Sequence, residues 1–163
     1  MGKFKELIIQ YPYLAPTEHT ANYYLEGEET WLDYVPKGWH HLFFKMLDGI
    51  NDILNFYKIP LESFVFLQVK EKFGSLRTYW ALEAEDHPNC ASCYDELDIL
   101  IQRTEDASSF FCHNCGDIAT LQSKGWILPY CELCAQINLE TRNIEHPHIV
   151  ATMESDFKPI NPI

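Results

Sequence analysis

Hydrophobic residues recur with a helical period between Gly38 and Tyr57. Apolar side chains are spaced there by three and four residues, at Trp39, Leu42, Phe43, Met46, Ile50, Ile53, Leu54 and Tyr57. This spacing puts them on one face of a helix. Twenty residues at about 1.5 Å each make a helix of roughly 30 Å, long enough to cross a small domain. The pattern therefore predicts one main amphipathic helix over 38–57, and Pro60 closes the region.

The next apolar segments have the composition of β-strands. Phe64–Lys70 and Leu76–Leu82 are rich in β-branched and aromatic residues, and the segment Glu71-Lys72-Phe73-Gly74 lies between them. Two such runs around a short glycine-containing segment predict an antiparallel hairpin. Strict alternation puts Phe64, Phe66, Gln68 and Lys70 on one face and Val65, Leu67 and Val69 on the other. We expect the apolar face of the hairpin to pack on the long helix.

Weaker patterns predict the remaining elements. Residues 3–10 favour a short amphipathic helix, and 11–37 form an aromatic, turn-rich segment that we expect to pack as an irregular lid. A helix is predicted over 96–107 with Asp95 as its N-cap. A last helical stretch is predicted over 135–143.

Composition narrows the class of protein. The 163 residues are 47% hydrophobic and 14% aromatic, which excludes a disordered chain. No apolar run reaches the length of a signal peptide or a bilayer span. We therefore expect a cytoplasmic protein without a membrane partner. The formal charge of −12 argues against nucleic-acid binding, which needs clustered Lys and Arg.

The six cysteines form three CxxC pairs, Cys90/Cys93, Cys112/Cys115 and Cys131/Cys134. A reducing cytosol favours metal binding over disulfides. Eighteen residues separate the first two pairs and fifteen the last two, so both pairings fit a zinc site. The predicted helix over 96–107 would hold the first two pairs apart, whereas 116–130 carries the glycines and proline of a short hairpin. We assign one structural zinc ion to Cys112, Cys115, Cys131 and Cys134, in a closed four-thiolate site.

The remaining pair leaves alternatives open. His87, Cys90 and Cys93 would make a three-ligand set for a second zinc ion. His113, His146 and His148 are the candidates for a fourth ligand. Three protein ligands and a water are the arrangement of catalytic zinc. The other interpretations are a free pair, a second closed site, and a redox pair, which the neighbouring carboxylates disfavour because they raise thiol pKa values.

One group of cations is unexpected in an acidic chain. Lys70, Lys72 and Arg77 lie within eight residues around the hairpin turn, with Gln68 and Tyr79 beside them. We call these five residues the basic cluster. Arg and Lys on a rigid hairpin can bind a phosphate or carboxylate. The competing interpretation is that these charged side chains keep the hairpin solvated and protect its edge from pairing with other strands, or that they form ion pairs with nearby acidic residues.

No catalytic signature accompanies these features. The chain lacks a P-loop, a GxSxG sequence, an HExxH sequence and a deaminase-type HxE sequence. We therefore assign no catalytic residue.

Several short sequences together are similar to a known group of proteins. They are Gly38-Trp39, the run Val69-Lys70-Glu71-Lys72-Phe73-Gly74-Ser75-Leu76-Arg77-x-Tyr79, Cys112-x2-Cys115-Gly116, Gly125-Trp126 and Cys131. Over roughly 36–135 the chain resembles small bacterial and phage proteins with a KEKFGxLRxY hairpin and a C-terminal zinc ribbon. The resemblance implies a compact cytosolic α+β domain and a phage or prophage origin, but no activity. The Cys90/Cys93 pair and the aromatic N-terminal segment depart from the group's pattern.

We predict an α+β fold in which the long helix packs on a β-hairpin or small antiparallel sheet, with a C-terminal zinc ribbon. Residues 1–108 would form the α+β core, 109–145 the ribbon and its following helix, and 146–163 an irregular tail.

The function that these features favour is binding. We expect a non-catalytic, zinc-stabilised, phage-encoded protein that acts against host defence by capturing a host protein or a small anionic, nucleotide-like ligand. Two alternatives are a zinc-dependent phosphoester hydrolase, and an acidic mimic of nucleic acid that occupies a DNA-binding host protein.

Overall fold

The computed structural model describes residues 4–15, 17 and 29–160, which form helices and two small antiparallel sheets. The α-helices are α1 (His40–Tyr57), α2 (Cys90–Ser108), α3 (Glu132–Glu145) and α4 (Met153–Asp156). The strands are β1 (Phe64–Lys72), β2 (Ser75–Leu82), β3 (Leu121–Ser123), β4 (Pro129–Tyr130) and β5 (Phe157–Pro159). Short 3₁₀ turns cover Lys5–Ile9, Pro12–Leu14, Trp31–Tyr34, Lys37–Trp39 and Leu61–Ser63. The predicted α+β class is confirmed.

Helix α1 is the long helix that the apolar spacing predicts. It follows the 3₁₀ turn Lys37–Trp39 and ends at Tyr57. The next residue, Lys58, has a left-handed backbone and caps the last turn. Its buried face consists of Phe43, Met46, Leu47, Ile50 and Leu54. This face packs against α2 and, through the stacked rings of Phe43 and Phe66, against β1.

Strands β1 and β2 form the predicted hairpin, but their turn is shorter than the sequence suggested. The loop contains only Phe73 and Gly74, with φ angles of 53° and 80°. Two consecutive positive φ angles are typical of the turn that best matches the twist of a hairpin. The strands therefore extend to Lys72 and Ser75.

A β-bulge overturns the strict alternation expected along β1. The register with β2 shifts between Phe66 and Gln68, so Leu67 is the extra residue. Leu67 is 40% exposed, while Val69 joins the same buried core as Phe66. The assignment of Val69 to the face opposite Phe66 was therefore wrong, because the bulge exchanges the faces beyond Leu67.

The aromatic N-terminal segment contributes to the main core, as expected, at Tyr11, Tyr13 and Trp31. The Tyr13 ring meets Phe64 and Phe66 edge-on. Its hydroxyl donates to the carbonyl of Leu47 and to Asn51 on α1. Tyr23 and Tyr24 of the predicted lid lie outside the described residues.

Helix α2 begins six residues earlier than predicted. Its first residue is Cys90, so Asp95 lies inside the helix and does not cap it. The buried side chains at Cys93, Leu97 and Ile101 have helical spacing. Cysteine is among the most often buried residues. Here Cys93 extends the apolar face that Leu97 and Ile101 form.

The described part of the tail, 146–160, contains a helix and a strand, which corrects the expectation of an irregular tail. Strand β5 pairs with β3, giving a sheet of order β4-β3-β5. Phe157 is buried in a second, smaller core with Tyr130 and Leu139. Arg142 also forms an ion pair of 2.6 Å with Asp156. Burial of Phe157 and strand pairing therefore order the segment.

Within the part of the chain that the structure describes, no helix has the length and apolar character needed to cross a bilayer.

Helix α2 covers the free edge of the hairpin. The outer N–H groups of Leu76 and Thr78 on β2 donate to Ser108 Oγ (2.8 Å) and Glu105 Oε1 (2.6 Å). Ser108 in turn donates to the carbonyl of Glu105. The side chains of α2 thus replace the strand that a two-stranded sheet lacks at this edge.

The exchange Ser108→Ala is expected to destabilise the fold by about 1–3 kcal/mol, because it leaves the buried N–H of Leu76 without an acceptor. The matched control is Ser109→Ala, whose hydroxyl donates to Asp106 at an exposed position. We expect a change within about 0.5 kcal/mol for this variant. Denaturant unfolding of the metal-loaded proteins measures both, and equal losses would contradict the edge-capping role of Ser108.

Candidate metal centre

The structure brings together the four cysteines that their spacing assigned to one metal ion. The sulfurs of Cys112, Cys115, Cys131 and Cys134 all lie within 4.8 Å of one another. The distance between the sulfurs of Cys115 and Cys131 is 3.6 Å. Tetrahedral coordination with metal–sulfur bonds of about 2.3 Å requires sulfurs about 3.8 Å apart. The four thiols are therefore positioned to hold a metal ion.

The first two ligands lie in a tight loop after α2. Gly116 has a φ of 87°, and its N–H donates to the carbonyl of Cys112 at 2.9 Å. Burial would raise the pKa of the Cys112 thiol, but backbone N–H groups of Cys131, Cys115 and Asn114 donate to its sulfur and lower the pKa overall. These N–H groups thus favour the thiolate of Cys112, which is the form that binds metal.

The last two ligands lie at the start of α3. Cys131 is the N-cap residue, and its sulfur accepts the N–H of Cys134 at 3.4 Å. The N-terminus of α3 therefore holds the sulfur of Cys131 close to that of Cys134.

The metal-binding loop is fixed to the beginning of α1. The N–H of Gly38 donates to the carbonyl of His113 at 2.8 Å, and Trp39 Nε1 donates to Phe111 at 2.9 Å. A Cβ atom on Gly38 would lie 2.0 Å from the carbonyl oxygen of Cys112 and 2.8 Å from the nitrogen of Gly116. Only glycine permits this approach of the two backbones.

His113, a candidate fourth ligand for a second metal, lies behind the loop. Its Nδ1 is 3.1 Å from the carbonyl oxygen of Pro129, and its ring meets Tyr130 edge-on. Burial lowers the pKa of His113. The imidazole therefore packs against β4.

The residues proposed for a second metal are not brought into such a group. Among the described residues, the clusters with metal-binding geometry do not include His87, Cys90 or Cys93. His87 Nδ1 accepts the N–H of Asn89, and Cys93 is fully buried in the first turns of α2. Burial raises the pKa of Cys93 to about 11, with further contributions from Cys90 and Glu96. Cys93 therefore packs in the core beside Leu97, and its burial disfavours the redox role.

His146 and His148, the other two candidates for a fourth ligand, are exposed in the segment after α3. The second zinc ion remains a prediction.

The basic cluster is assembled on one face of the hairpin. In the register of β1 and β2, Gln68 is opposite Tyr79 and Lys70 is opposite Arg77. Lys70 Nζ donates to Gln68 Oε1 at 2.6 Å and lies 5.2 Å from the centre of the Tyr79 ring. Lys72, two residues beyond Lys70, projects from the same side of the strand.

The cations of the cluster differ in their surroundings. Arg77 lies 3.4 Å from Glu105, whose other oxygen accepts from the backbone and hydroxyl of Thr78. Lys72 Nζ is 5.5 Å from the centre of the Phe73 ring. Within the described ranges, Lys70 and Lys72 have no carboxylate within ion-pair distance. The lysines therefore carry the uncompensated charge of the cluster.

Sequence reasoning missed a cleft between two hairpin turns. It has a volume of about 240 Å³ and is lined by Glu71, Lys72, Phe73, Gly125, Trp126 and Ile127. Phe73 is 76% exposed and Trp126 is 75% exposed. The available signal was an aromatic residue beside a glycine in each predicted turn.

No protein-family model, curated protein or solved structure matches the chain. Its function must therefore be inferred from its own residues and their geometry, and the resemblance to the KEKFGxLRxY group remains a prediction.

We expect the purified protein to carry one metal ion and Cys115→Ser to lose it, because a hydroxyl replaces one of four thiolates. Cys115 is exposed, so the exchange removes little packing. The matched control is Cys90→Ser, which alters another CxxC pair and should retain the metal. Native mass spectrometry counts the ions. Retention by Cys115→Ser, or loss from Cys90→Ser, would refute the ligand assignment.

A second prediction concerns the contact between α1 and the metal-binding loop. Gly38→Ala should destabilise the fold by about 1–3 kcal/mol and speed metal transfer to a chelator, because the new methyl group collides with backbone atoms. Gly49→Ala is the control, since its methyl group meets only the side chain of Leu100, which can move. Similar rates of metal loss in the two variants would show that the loop does not depend on Gly38.

Proposed function

We propose that the chain is a non-catalytic binding protein stabilised by one zinc ion. Four clustered cysteine sulfurs carry this proposal, because thiolates favour zinc among the common divalent ions of cells. A tetrahedral ion with four protein ligands keeps no position for water or substrate. The zinc ion would therefore hold the C-terminal lobe together and take no part in a reaction.

The basic cluster is proposed as the ligand-binding surface. Lys70 and Arg77 lie opposite each other on a paired strand, with the Gln68 amide between Lys70 and the bulge. Rigid strands keep such groups in place and lower the entropy lost on binding. Arg77 offers two parallel donors and the lysines offer point charges, a combination suited to phosphate or carboxylate.

The proposed ligand is a small anion, and the proposed role is capture in the cytoplasm. The chain has a formal charge of −12, so a long polyanion would be repelled while a small one can approach the cluster locally. Capture of a signalling anion by a phage-encoded protein would counter a host defence. A host protein that presents a phosphate or carboxylate to the same surface is the other form of this proposal.

The two alternative functions differ in their support. A phosphoester hydrolase needs a metal with an open position, and the four-cysteine group is closed. A nucleic-acid mimic needs its carboxylates on the surface. Among the nine carboxylates of residues 83–117, Glu105 is buried against β2 and the other eight are exposed. This alternative therefore predicts partner binding that weakens steeply with salt.

Titration with pyrophosphate at low salt tests the anion site. We expect Lys70→Ala to weaken binding about 10- to 100-fold, the loss typical of one hydrogen bond to a charged group. The matched control is Lys45→Ala, an exposed lysine on α1 that should leave binding unchanged. Calorimetry measures both affinities. If Lys70→Ala and Arg77→Ala bind pyrophosphate as the wild type does, the proposed surface is wrong.

A further inference from the structure

The tips of two hairpins meet beside the basic cluster. Glu71 near the end of β1 links them, since its two carboxylate oxygens accept from the N–H of Gly74 (2.8 Å) and from Trp126 Nε1 (3.2 Å). Ile127 also packs against Gly74, where an added Cβ atom would lie 3.0 Å from its side chain. The β1–β2 turn and the β3–β4 turn thereby enclose the cleft of about 240 Å³, which we call the tip cleft.

Two exposed rings flank the tip cleft. Trp126 follows Gly125 in the β3–β4 turn, and Phe73 occupies the first position of the β1–β2 turn with a φ of 53°. A left-handed backbone costs a bulky residue about 1–2 kcal/mol, and this turn position normally takes asparagine, aspartate or glycine. An exposed phenylalanine in that conformation adds no core packing to offset its cost. Its presence indicates a role in binding.

Charge distinguishes the possible occupants of the cleft. Lys72 lines the cleft and lies on the same side of β1 as Lys70. The charged groups that line the cleft are therefore Lys72, with Lys70 beside it on β1, and Glu71, whose two oxygens are already hydrogen-bonded to Gly74 and Trp126. An uncharged apolar side chain from a protein partner would use the rings and leave the lysines without a role. A ligand with an aromatic ring and an anionic end uses both.

We propose that the tip cleft binds the base of a free nucleoside phosphate, stacked on Phe73 and Trp126, while its phosphates contact Lys72 and Lys70. This inference rests on the proposed anion site and names the ligand class of that site. A cleft of about 240 Å³ is smaller than the roughly 300–1,000 Å³ that encloses a whole drug-sized ligand. It holds a ring system and leaves the sugar and phosphates outside, where the lysines lie. Aromatic side chains stack on any base, so the site is selective for nucleotides as a class.

Calorimetric titration of the zinc-loaded protein with ATP, AMP, ribose 5-phosphate and pyrophosphate tests the inference. We expect AMP to bind at least about tenfold more tightly than ribose 5-phosphate, which carries the same sugar and phosphate but lacks a base. Phe73→Asn removes the ring but keeps a residue suited to the turn. It should weaken ATP binding about tenfold and leave pyrophosphate binding unchanged. Phe56→Asn, at another exposed phenylalanine on α1, is the control and should bind ATP as the wild type does.

The outcomes separate this inference from the proposed function. Equal affinities for AMP and ribose 5-phosphate, with no effect of Phe73→Asn on ATP binding, would overturn the tip cleft and leave the anion site standing. Absence of binding to all four ligands would overturn both. A single-stranded tetranucleotide that binds at least tenfold more tightly than ATP would overturn the assignment to a free ligand.

Tryptophan fluorescence locates the bound base independently. Trp31 and Trp39 are fully buried and Trp80 is half-buried, so Trp126 is the tryptophan that iodide reaches most readily in the described part of the chain. Saturating ATP should protect it from iodide quenching, whereas pyrophosphate should not. Unchanged quenching with ATP bound would place the base elsewhere.

Discussion

The contact between Gly38 and the metal-binding loop connects the two cores of the protein. Two backbones approach so closely that each glycine, Gly38 and Gly116, would place a Cβ atom within 2.8 Å of the other strand of chain. The N–H of Gly38 is hydrogen-bonded to the loop, and Trp39 buries its ring and donates to Phe111. A metal ion that fixes the loop therefore also fixes the point where the long helix begins. Metal binding and folding of the larger core are coupled through this contact.

The β1–β2 hairpin contributes one face to the main core and the other to the proposed site. The bulge at Leu67 returns Val69 to the buried face, which leaves Gln68 and Lys70 on the outer face beside Tyr79 and Arg77. Helix α2 then covers the outer edge of β2. There Glu105, which is only 9% exposed, accepts two hydrogen bonds from Thr78 and lies within ion-pair distance of Arg77. A buried carboxylate with such partners is satisfied, and it also orients the arginine. The arrangement of the cations thus follows from how the hairpin packs.

Local patterns predicted much of this architecture. The apolar spacing of α1, the strand composition of the hairpin and the four-cysteine set all depend on residues close in sequence or on known metal-ligand spacing. The start of α2 was misplaced because Cys90 and Cys93 were weighed as ligands, although Cys93 is a buried apolar residue of the helix. The bulge was not visible because Leu67 and Val69 are both apolar, so neither face was favoured.

Local sequence patterns did not predict the features that depend on contacts between residues far apart in the chain. Strand β5 has three residues and exists because it pairs with β3. Its apolar content, essentially Phe157, is too small to predict a strand. The tip cleft is likewise formed by two turns about fifty residues apart in the chain. Hydrophobic periodicity describes one helix or strand at a time and carries no information about contacts between distant elements.

The metal ion, the basic cluster and the exposed rings are physically dependent on one another. The β3–β4 hairpin that carries Trp126 lies between the two halves of the four-cysteine group, so a metal ion bound there would hold both of its ends. Trp126 contacts Glu71 on the strand that also carries Lys70 and Lys72. A closed structural metal site can in this way determine where a distant aromatic side chain lies, without supplying any chemistry. In the proposed function, the four cysteines would contribute to binding by positioning Trp126.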